Sequence, residues 1–197
     1  LGTIIALKKR GFRPEAINKF LMELGLNKNE VQISIEKLNS YNKDIIDKNT
    51  NRYFAVFKPK KIKIKNAPEI QVKAPLHPDF PDKGFRLINT KNEFYIQDDI
   101  KRGITYRFMH LFNFKSKRFV SKDYSANLNA TLIHWLPFDK DLINVEVVLP
   151  DNSRIKGLAE KNIENVKLNE TIQFERNFFC TLVEKDKNKY LFYYLHK

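Results

Sequence analysis

Asn51-Arg52-Tyr53-Phe54-Ala55-Val56-Phe57 is where the chain changes character. Its aromatic and β-branched side chains favour an extended, packed backbone, and Pro59 closes the run. Immediately downstream Ile62 and Ile64 alternate with Lys61, Lys63 and Lys65, and Ile70 and Val72 alternate with Lys73. That period of two predicts strands with one apolar and one cationic face. Five of the eight prolines lie between 59 and 81, so turns punctuate this stretch. Further strands are predicted over 85–89, 93–97, 104–114, 117–121, 130–136, 143–149, 154–159, 171–174, 177–184 and 190–195, the last two as a hairpin around 184–189. About ten short strands at this spacing mean a sandwich or a barrel. A β region of this length is either one sandwich or two small barrels.

Upstream of Asn51 the pattern is helical. Ile4, Ile5, Ala6 and Leu7 lead into Lys8-Lys9-Arg10 and Gly11, a basic last turn followed by a glycine stop. Pro14 suits a first helical position, and Ile17, Phe20, Leu21 and Leu24 form one face before Gly25. Asn29 and Gln32 fit a capping box for a third helix carrying Val31, Ile35, Leu38, Ile45 and Ile46. The fold class expected is mainly β with a small N-terminal helical part.

The chain has 197 residues and a net charge of +13, unevenly spread. Residues 58–135 hold 16 basic and 7 acidic groups, a net +9, against +4 over 1–57 and zero over 136–197. This polarisation suits a polyanion on part of the surface. Generic solvated lysine remains an alternative, since Lys outnumbers Arg 27 to 9, as does an acidic membrane or protein surface. No run approaches the roughly 18 apolar residues of a membrane-spanning helix. The single cysteine, Cys180, makes no internal disulfide, which suggests a reducing, cytoplasmic setting. Leu1 in place of Met, with no signal pattern following, suggests a piece of a longer, non-secreted polypeptide.

Little in the sequence suggests catalysis. No phosphate-binding glycine loop occurs, His77, His110, His134 and His196 are scattered, and no metal site is expected. Cys180, within Phe178-Phe179-Cys180-Thr181-Leu182, reads as a buried structural thiol. His134-Trp135 reads as a core anchor. Phe114-Lys115-Ser116-Lys117-Arg118 has a faint likeness to an ATP-binding Lys-x-Ser-Lys loop, but its β context makes it a basic turn. The nucleic-acid reading rests on Arg52 beside Tyr53-Phe54 and on Gln173-Phe174-Glu175-Arg176. Arg offers a bidentate fork, Gln a donor and an acceptor together, and exposed aromatics stack unpaired bases.

Several segments, in order along the chain, resemble the archaeal-type glutamyl-tRNA synthetases, within the class I glutamyl/glutaminyl-tRNA synthetase family. They are Gly2-Thr3-Ile4-Ile5-Ala6-Leu7 with Arg10-Gly11-Phe12 and Pro14-Glu15-Ala16-Ile17; Asn51-Arg52-Tyr53-Phe54-Ala55-Val56; Leu76-His77-Pro78-Asp79 with Pro81, Gly84 and Arg86; Ile133-His134-Trp135; Gly157-Leu158-Ala159-Glu160; and Gln173-Phe174-Glu175-Arg176. The resemblance implies a helical connector subdomain over 1–51. It implies a proximal antiparallel β-barrel from 52–98 plus 151–197, and a distal one from 99–150 inserted between them. It further implies anticodon recognition of glutamate tRNA, possibly also glutamine tRNA, by a glutamate–tRNA ligase. ATP and glutamate would be used by a catalytic domain upstream in the same polypeptide, with no cofactor, no metal and no catalytic residue in this chain. A glutaminyl enzyme and a standalone RNA-binding module are the alternatives.

By the same resemblance Arg52, Gln173 and Arg176 match positions that read the central uridine of the anticodon, and Arg107 matches one near the first base. Lys61, Lys63, Lys65, Lys101 and Arg102 are expected on the tRNA backbone. Two departures favour the glutamyl branch: Met109 stands where the glutaminyl pattern has a second arginine, and the segment before Arg107 is short. Lys58 before Pro59 replaces the usual acidic residue.

Overall fold

The computed structural model describes residues 3–25, 34–124, 129–187 and 189–197. Helix α1 (Ile4–Arg10) is capped by Thr3, whose Oγ1 accepts the Ala6 N–H at 3.2 Å. It ends at Gly11 with φ +106°. A side chain at Gly11 would strain that backbone, and its Cβ would lie 2.5 Å from Thr181 Oγ1. Helices α2 (Pro14–Gly25) and α3 (Ile35–Ile46) follow. The expected capping box at Asn29 and Gln32 lies outside the described residues. No described helix is long and apolar enough to cross a membrane.

The sixteen strands among the described residues fall close to the predicted runs. They are β1 (Arg52–Tyr53), β2 (Ala55–Phe57), β3 (Lys60–Lys63), β4 (Ile70–Pro75), β5 (Phe85–Thr90), β6 (Glu93–Ile96), β7 (Thr105–Phe108), β8 (Asn113–Lys115), β9 (Arg118–Ser121), β10 (Thr131–Ile133), β11 (Leu136–Pro137), β12 (Ile143–Val148), β13 (Arg154–Ala159), β14 (Thr171–Phe174), β15 (Phe178–Asp186) and β16 (Lys189–His196). The run 104–114 differs from expectation. It breaks into β7 and β8 around a turn in which His110 takes φ +58°.

Seven strands form one sheet in the order β1-β14-β15-β16-β12-β13-β2. Its edge strands, β1 and β2, are neighbours in the chain, separated by Phe54 alone. A flat sheet of seven strands would hold its edges roughly 29 Å apart. Tyr53 and Ala55 lie within about 7 Å of each other by chain length. The sheet therefore curls until its edges meet at Phe54. Gly157 lets β13 approach β2, for its Cβ would meet the Val56 carbonyl oxygen at 2.6 Å.

The described strands do not form the two antiparallel β-barrels that the resemblance implies. No ladder joins β1 to β2, so the large sheet is curled but open. The β1–β14, β12–β16 and β7–β10 pairs are parallel. Parallel pairs arise where the chain returns after a long excursion and not through a hairpin. The remaining strands form separate sheets, β10-β7-β8-β9, β11-β6-β3 and β4-β5. Strand β12, inside the 99–150 segment, pairs with β13 and β16 of the large sheet.

Residues 53–56 alternate between two cores. Tyr53 and Ala55 face one core with Ile172, Phe174 and Phe192. Phe54 and Val56 face another with Phe94, Phe108, Phe112, Phe114 and Trp135. Trp135 anchors the second core as expected, its Nε1 donating to the Met109 carbonyl at 2.8 Å. Cys180 is fully buried, which pushes its thiol well above the usual range and leaves it a structural group.

A third, small core joins helices to sheet through Phe12, Ala16, Leu38, Ile46, Phe179 and Leu195. Arg10 docks there too, its Nε donating to the Tyr194 carbonyl at 2.8 Å and Nη2 to that of Leu195 at 2.6 Å. Buried Asn42 fixes the packing. Its Oδ1 accepts the Arg13 N–H at 2.7 Å, so its amide nitrogen faces His196 Nε2 at 3.0 Å. His196 must then accept at Nε2 and donate from Nδ1 to the Lys197 carbonyl at 3.2 Å. That is the neutral imidazole, and burial pushes its pKa down to about 4.

Between pH 6.5 and 4 the unfolded chain therefore binds a proton that the folded chain refuses. Lowering the pH from 7 to 5 should reduce the unfolding free energy through His196 by about 1–2 kcal/mol. Urea unfolding at both pH values measures the drop, and H196Q should remove that share of it.

Candidate nucleic-acid interface

Strand β1 lies parallel to β14, with Arg52 opposite Gln173 and Tyr53 opposite Phe174. The Gln173 N–H donates to the Asn51 carbonyl at 2.9 Å, and the Glu175 N–H to that of Tyr53 at 3.0 Å. Facing side chains in such a pair are direct neighbours. The pairing thus brings together two residues more than a hundred positions apart. Arg52 Nη2 lies 3.3 Å from Asp47 Oδ1 at the end of α3, while its buried Nε has no hydrogen-bond partner among the described residues. Gln173 Oε1 is likewise buried and unpartnered. The His77-Pro78-Asp79 turn backs this corner, with His77 Nε2 3.1 Å from the Asp47 carbonyl and Nδ1 accepting the Asp79 N–H at 3.1 Å.

Arg176 stands exposed in the turn between β14 and β15, where the Asn177 N–H donates to the Phe174 carbonyl at 2.8 Å. Its φ of +57° is the left-handed region, which costs a non-glycine residue roughly 1 kcal/mol or more. Behind it lies His134, lowered to about 4 by burial and then by the Arg176 charge.

Beneath this corner is a charge cluster that single-residue reading misses. Arg86 on β5 is 3% exposed. Its Nε lies 2.7 Å from Glu160 Oε1, and Nη2 3.8 Å from Glu175 Oε2, neither contact aligned as a hydrogen bond. Nη1 donates to the Pro75 carbonyl at 2.5 Å. The guanidinium sits 5.1 Å from the Phe54 ring centre and 5.5 Å from that of Tyr53. Burial raises the Glu160 carboxyl against the pull of Arg86. Glu175 is lowered overall: burial opposes the shift, and the neighbouring His110 and Arg86 outweigh it. His110 Nε2 lies 3.9 Å from Glu175 Oε1 and its ring stacks on Phe54 at 6.2 Å. The β7–β8 turn is thereby tied to the β14–β15 turn. In sequence, Arg86, Glu160 and Glu175 each look like ordinary surface charges.

The other expected contacts lie apart from this corner. Arg107 on β7 donates from Nη1 to Asn113 Oδ1 at 3.0 Å and to the Asp123 carbonyl at 3.2 Å. Met109, in place of a second arginine, is buried. Lys101 and Arg102 are exposed before β7, with the Lys101 N–H donating to the Tyr106 hydroxyl at 3.0 Å. Lys61, Lys63 and Lys65 share the exposed face of the β3 segment, with Ile62 and Ile64 buried behind them. Lys61 is engaged already: its Nζ lies 3.0 Å from Glu93 Oε2 and 3.5 Å from the Phe138 ring centre. Lys65 bridges to Arg118 on the β8–β9 hairpin. In that hairpin's two-residue turn Ser116 and Lys117 take φ +49° and +59°, so the Lys-x-Ser-Lys-like stretch is a basic β-turn. Among the described residues no carboxylate pairs with Lys63, Lys65, Lys115, Lys117 or Arg118. No group of three or more His, Cys, Asp or Glu side chains among them could hold a metal ion.

Two family models, both described as the anticodon-binding domain of class I tRNA synthetases (E and Q), match residues 50–133 and 119–182. Curated relatives match the whole chain. The glutamate–tRNA ligase of Methanococcus maripaludis strain S2 is 40% identical over 208 residues, that of Pyrococcus furiosus 37% over 216, and that of Methanocaldococcus jannaschii 36% over 208. In each case the chain spans 37% of the relative's length.

The Arg86 cluster makes a direct prediction. R86A should destabilise the protein by about 3–5 kcal/mol, because it strands Glu160 as a buried, unpaired carboxylate. R86A/E160Q should recover part of that loss in chemical denaturation.

Proposed function

The chain belongs to the anticodon-binding family of class I tRNA synthetases for glutamate and glutamine, and from that premise we propose that it reads the anticodon of glutamate tRNA for a glutamate–tRNA ligase. The observation that carries the reading is the Arg52–Gln173 pair. A buried guanidinium N–H and a buried amide oxygen stand on paired residues of β1 and β14, without hydrogen-bond partners among the described residues. Uracil presents two carbonyl acceptors and one N–H donor, the complement of such a pair. Arg176 at the end of the same strand completes the set for the central uridine, and Arg107 serves the first base. Unpaired bases splayed from the loop are the form of RNA that side chains read most readily.

Lys63 and Lys65, which have no acidic partner among the described residues, hold the phosphate backbone together with Lys101 and Arg102. Lys61, already engaged by Glu93, contributes less. Residues 1–51 act as the helical connector, 52–98 with 151–197 as the proximal unit, and 99–150 as the distal unit whose last strand crosses back into the large sheet. A catalytic domain in the same polypeptide activates glutamate with ATP and transfers it to the tRNA, in the cytoplasm.

Replacing Arg52 or Arg176 by Ala should cost roughly 1–3 kcal/mol of preference for a central uridine. Unchanged preference in tRNA-binding measurements removes those residues from the site. K63A and K65A should weaken all tRNAs alike and each lower the salt slope by about 1. Charging assays on the full polypeptide should attach glutamate; attachment of glutamine instead overturns the glutamyl assignment.

A further inference from the structure

Tyr124 is 82% exposed, the most exposed of the large apolar side chains among the described residues, and it belongs to none of the three cores. Yet the backbone leading to it is firmly tied. Asn113, 1% exposed on β8, donates its amide to Ser121 Oγ at 2.9 Å and to the Asp123 carbonyl at 2.7 Å. Arg107 Nη1 reaches the Lys122 and Asp123 carbonyls at 3.3 and 3.2 Å, and Asn113 Oδ1 at 3.0 Å. Four hydrogen bonds thus fix residues 121–123, and a fifth joins Arg107 to Asn113, without burying the ring that follows.

The ring is backed by a cation, with Arg107 Cζ 5.2 Å from its centre. Nη1 takes the protein acceptors, while Nε and Nη2 take none among the described residues. A flat aromatic face turned to solvent, a guanidinium edge beside it, and exposed Lys122 nearby suit one ligand class: an unpaired nucleobase on its phosphate backbone. We propose that Tyr124, aimed outward by Arg107 and Asn113, is a stacking platform for one unpaired base of the bound tRNA. This rests on the anticodon-binding reading and adds to it a contact in the four-stranded sheet, separate from the Arg52–Gln173 pair. Arg107 then has two tasks, holding the platform and presenting its remaining N–H groups to the stacked nucleotide.

The test measures tRNA affinity of the full polypeptide for Y124F, Y124S and R52A. It uses intact transcripts and transcripts made abasic at each anticodon-loop position in turn. Y124F should bind within about twofold of the parent, since the ring face is kept. Y124S should bind roughly tenfold more weakly, with an unchanged melting temperature. At one loop position, removing the base should cost the parent about tenfold and Y124S almost nothing, because base and ring act as a pair. Unchanged affinity of Y124S, or additive losses at every loop position, overturns the proposal. R52A separates the two readings: if it weakens binding while Y124S does not, only the platform fails. If both leave binding unchanged, the anticodon-binding reading fails with it.

Discussion

One residue joins the two edges of a curled, open sheet of seven strands. Phe54 is all that separates the edge strands Arg52–Tyr53 and Ala55–Phe57, so the sheet curls around it. An unpaired backbone at such a seam would be costly. Glu160 supplies the partners: its carboxylate accepts the Phe54 N–H at 2.9 Å, and its own N–H donates to the Phe54 carbonyl at 3.1 Å. Arg86 holds that carboxylate, and the Phe54 side chain turns into the second core, 5.7 Å from Trp135. Stability, the joining of two cores and the placement of Arg52 against Gln173 depend on the same few atoms.

The local structure was legible because local rules decide it. Gly11 and Pro14 mark helix boundaries by backbone conformation alone. The Ile62/Ile64 and Lys61/Lys63/Lys65 alternation predicts which face is buried. The continuous apolar run at 53–57 looks ambiguous until two cores are seen, one on each side of it. What stayed hidden is long-range. The parallel pairs and the sheet order depend on which distant strand fills which edge, and no local pattern carries that. The Arg86–Glu160–Glu175 cluster was invisible for the same reason, as was the Asn113 lock behind Tyr124. In the candidate site, residue types alone suggested RNA, but joining Arg52 to Gln173 and Arg176 required the family resemblance. The β1–β14 pairing supplies the physical reason why Arg52 and Gln173 are neighbours.

Charge and selectivity divide along the chain. The +9 of residues 58–135 includes Lys63, Lys65, Lys115, Lys117 and Arg118, which have no carboxylate partner among the described residues and form a surface that attracts any phosphate backbone. Gln173 comes from the neutral last segment and meets Arg52 only through strand pairing, with Arg176 in the turn that follows β14. On the proposed reading, the basic 58–135 segment supplies most of the affinity, and Arg52, Gln173 and Arg176, which lie outside it, read the central uridine.

The central claim is that this fold presents an anticodon-loop reader. Nuclease and chemical footprinting of glutamate tRNA with the full polypeptide tests it most directly, with and without R52A. Protection of the anticodon loop is expected, with protection of the central uridine lost in R52A while the flanking backbone stays covered. An anticodon loop as reactive in the complex as in free tRNA, or a footprint that R52A leaves unchanged, would contradict it.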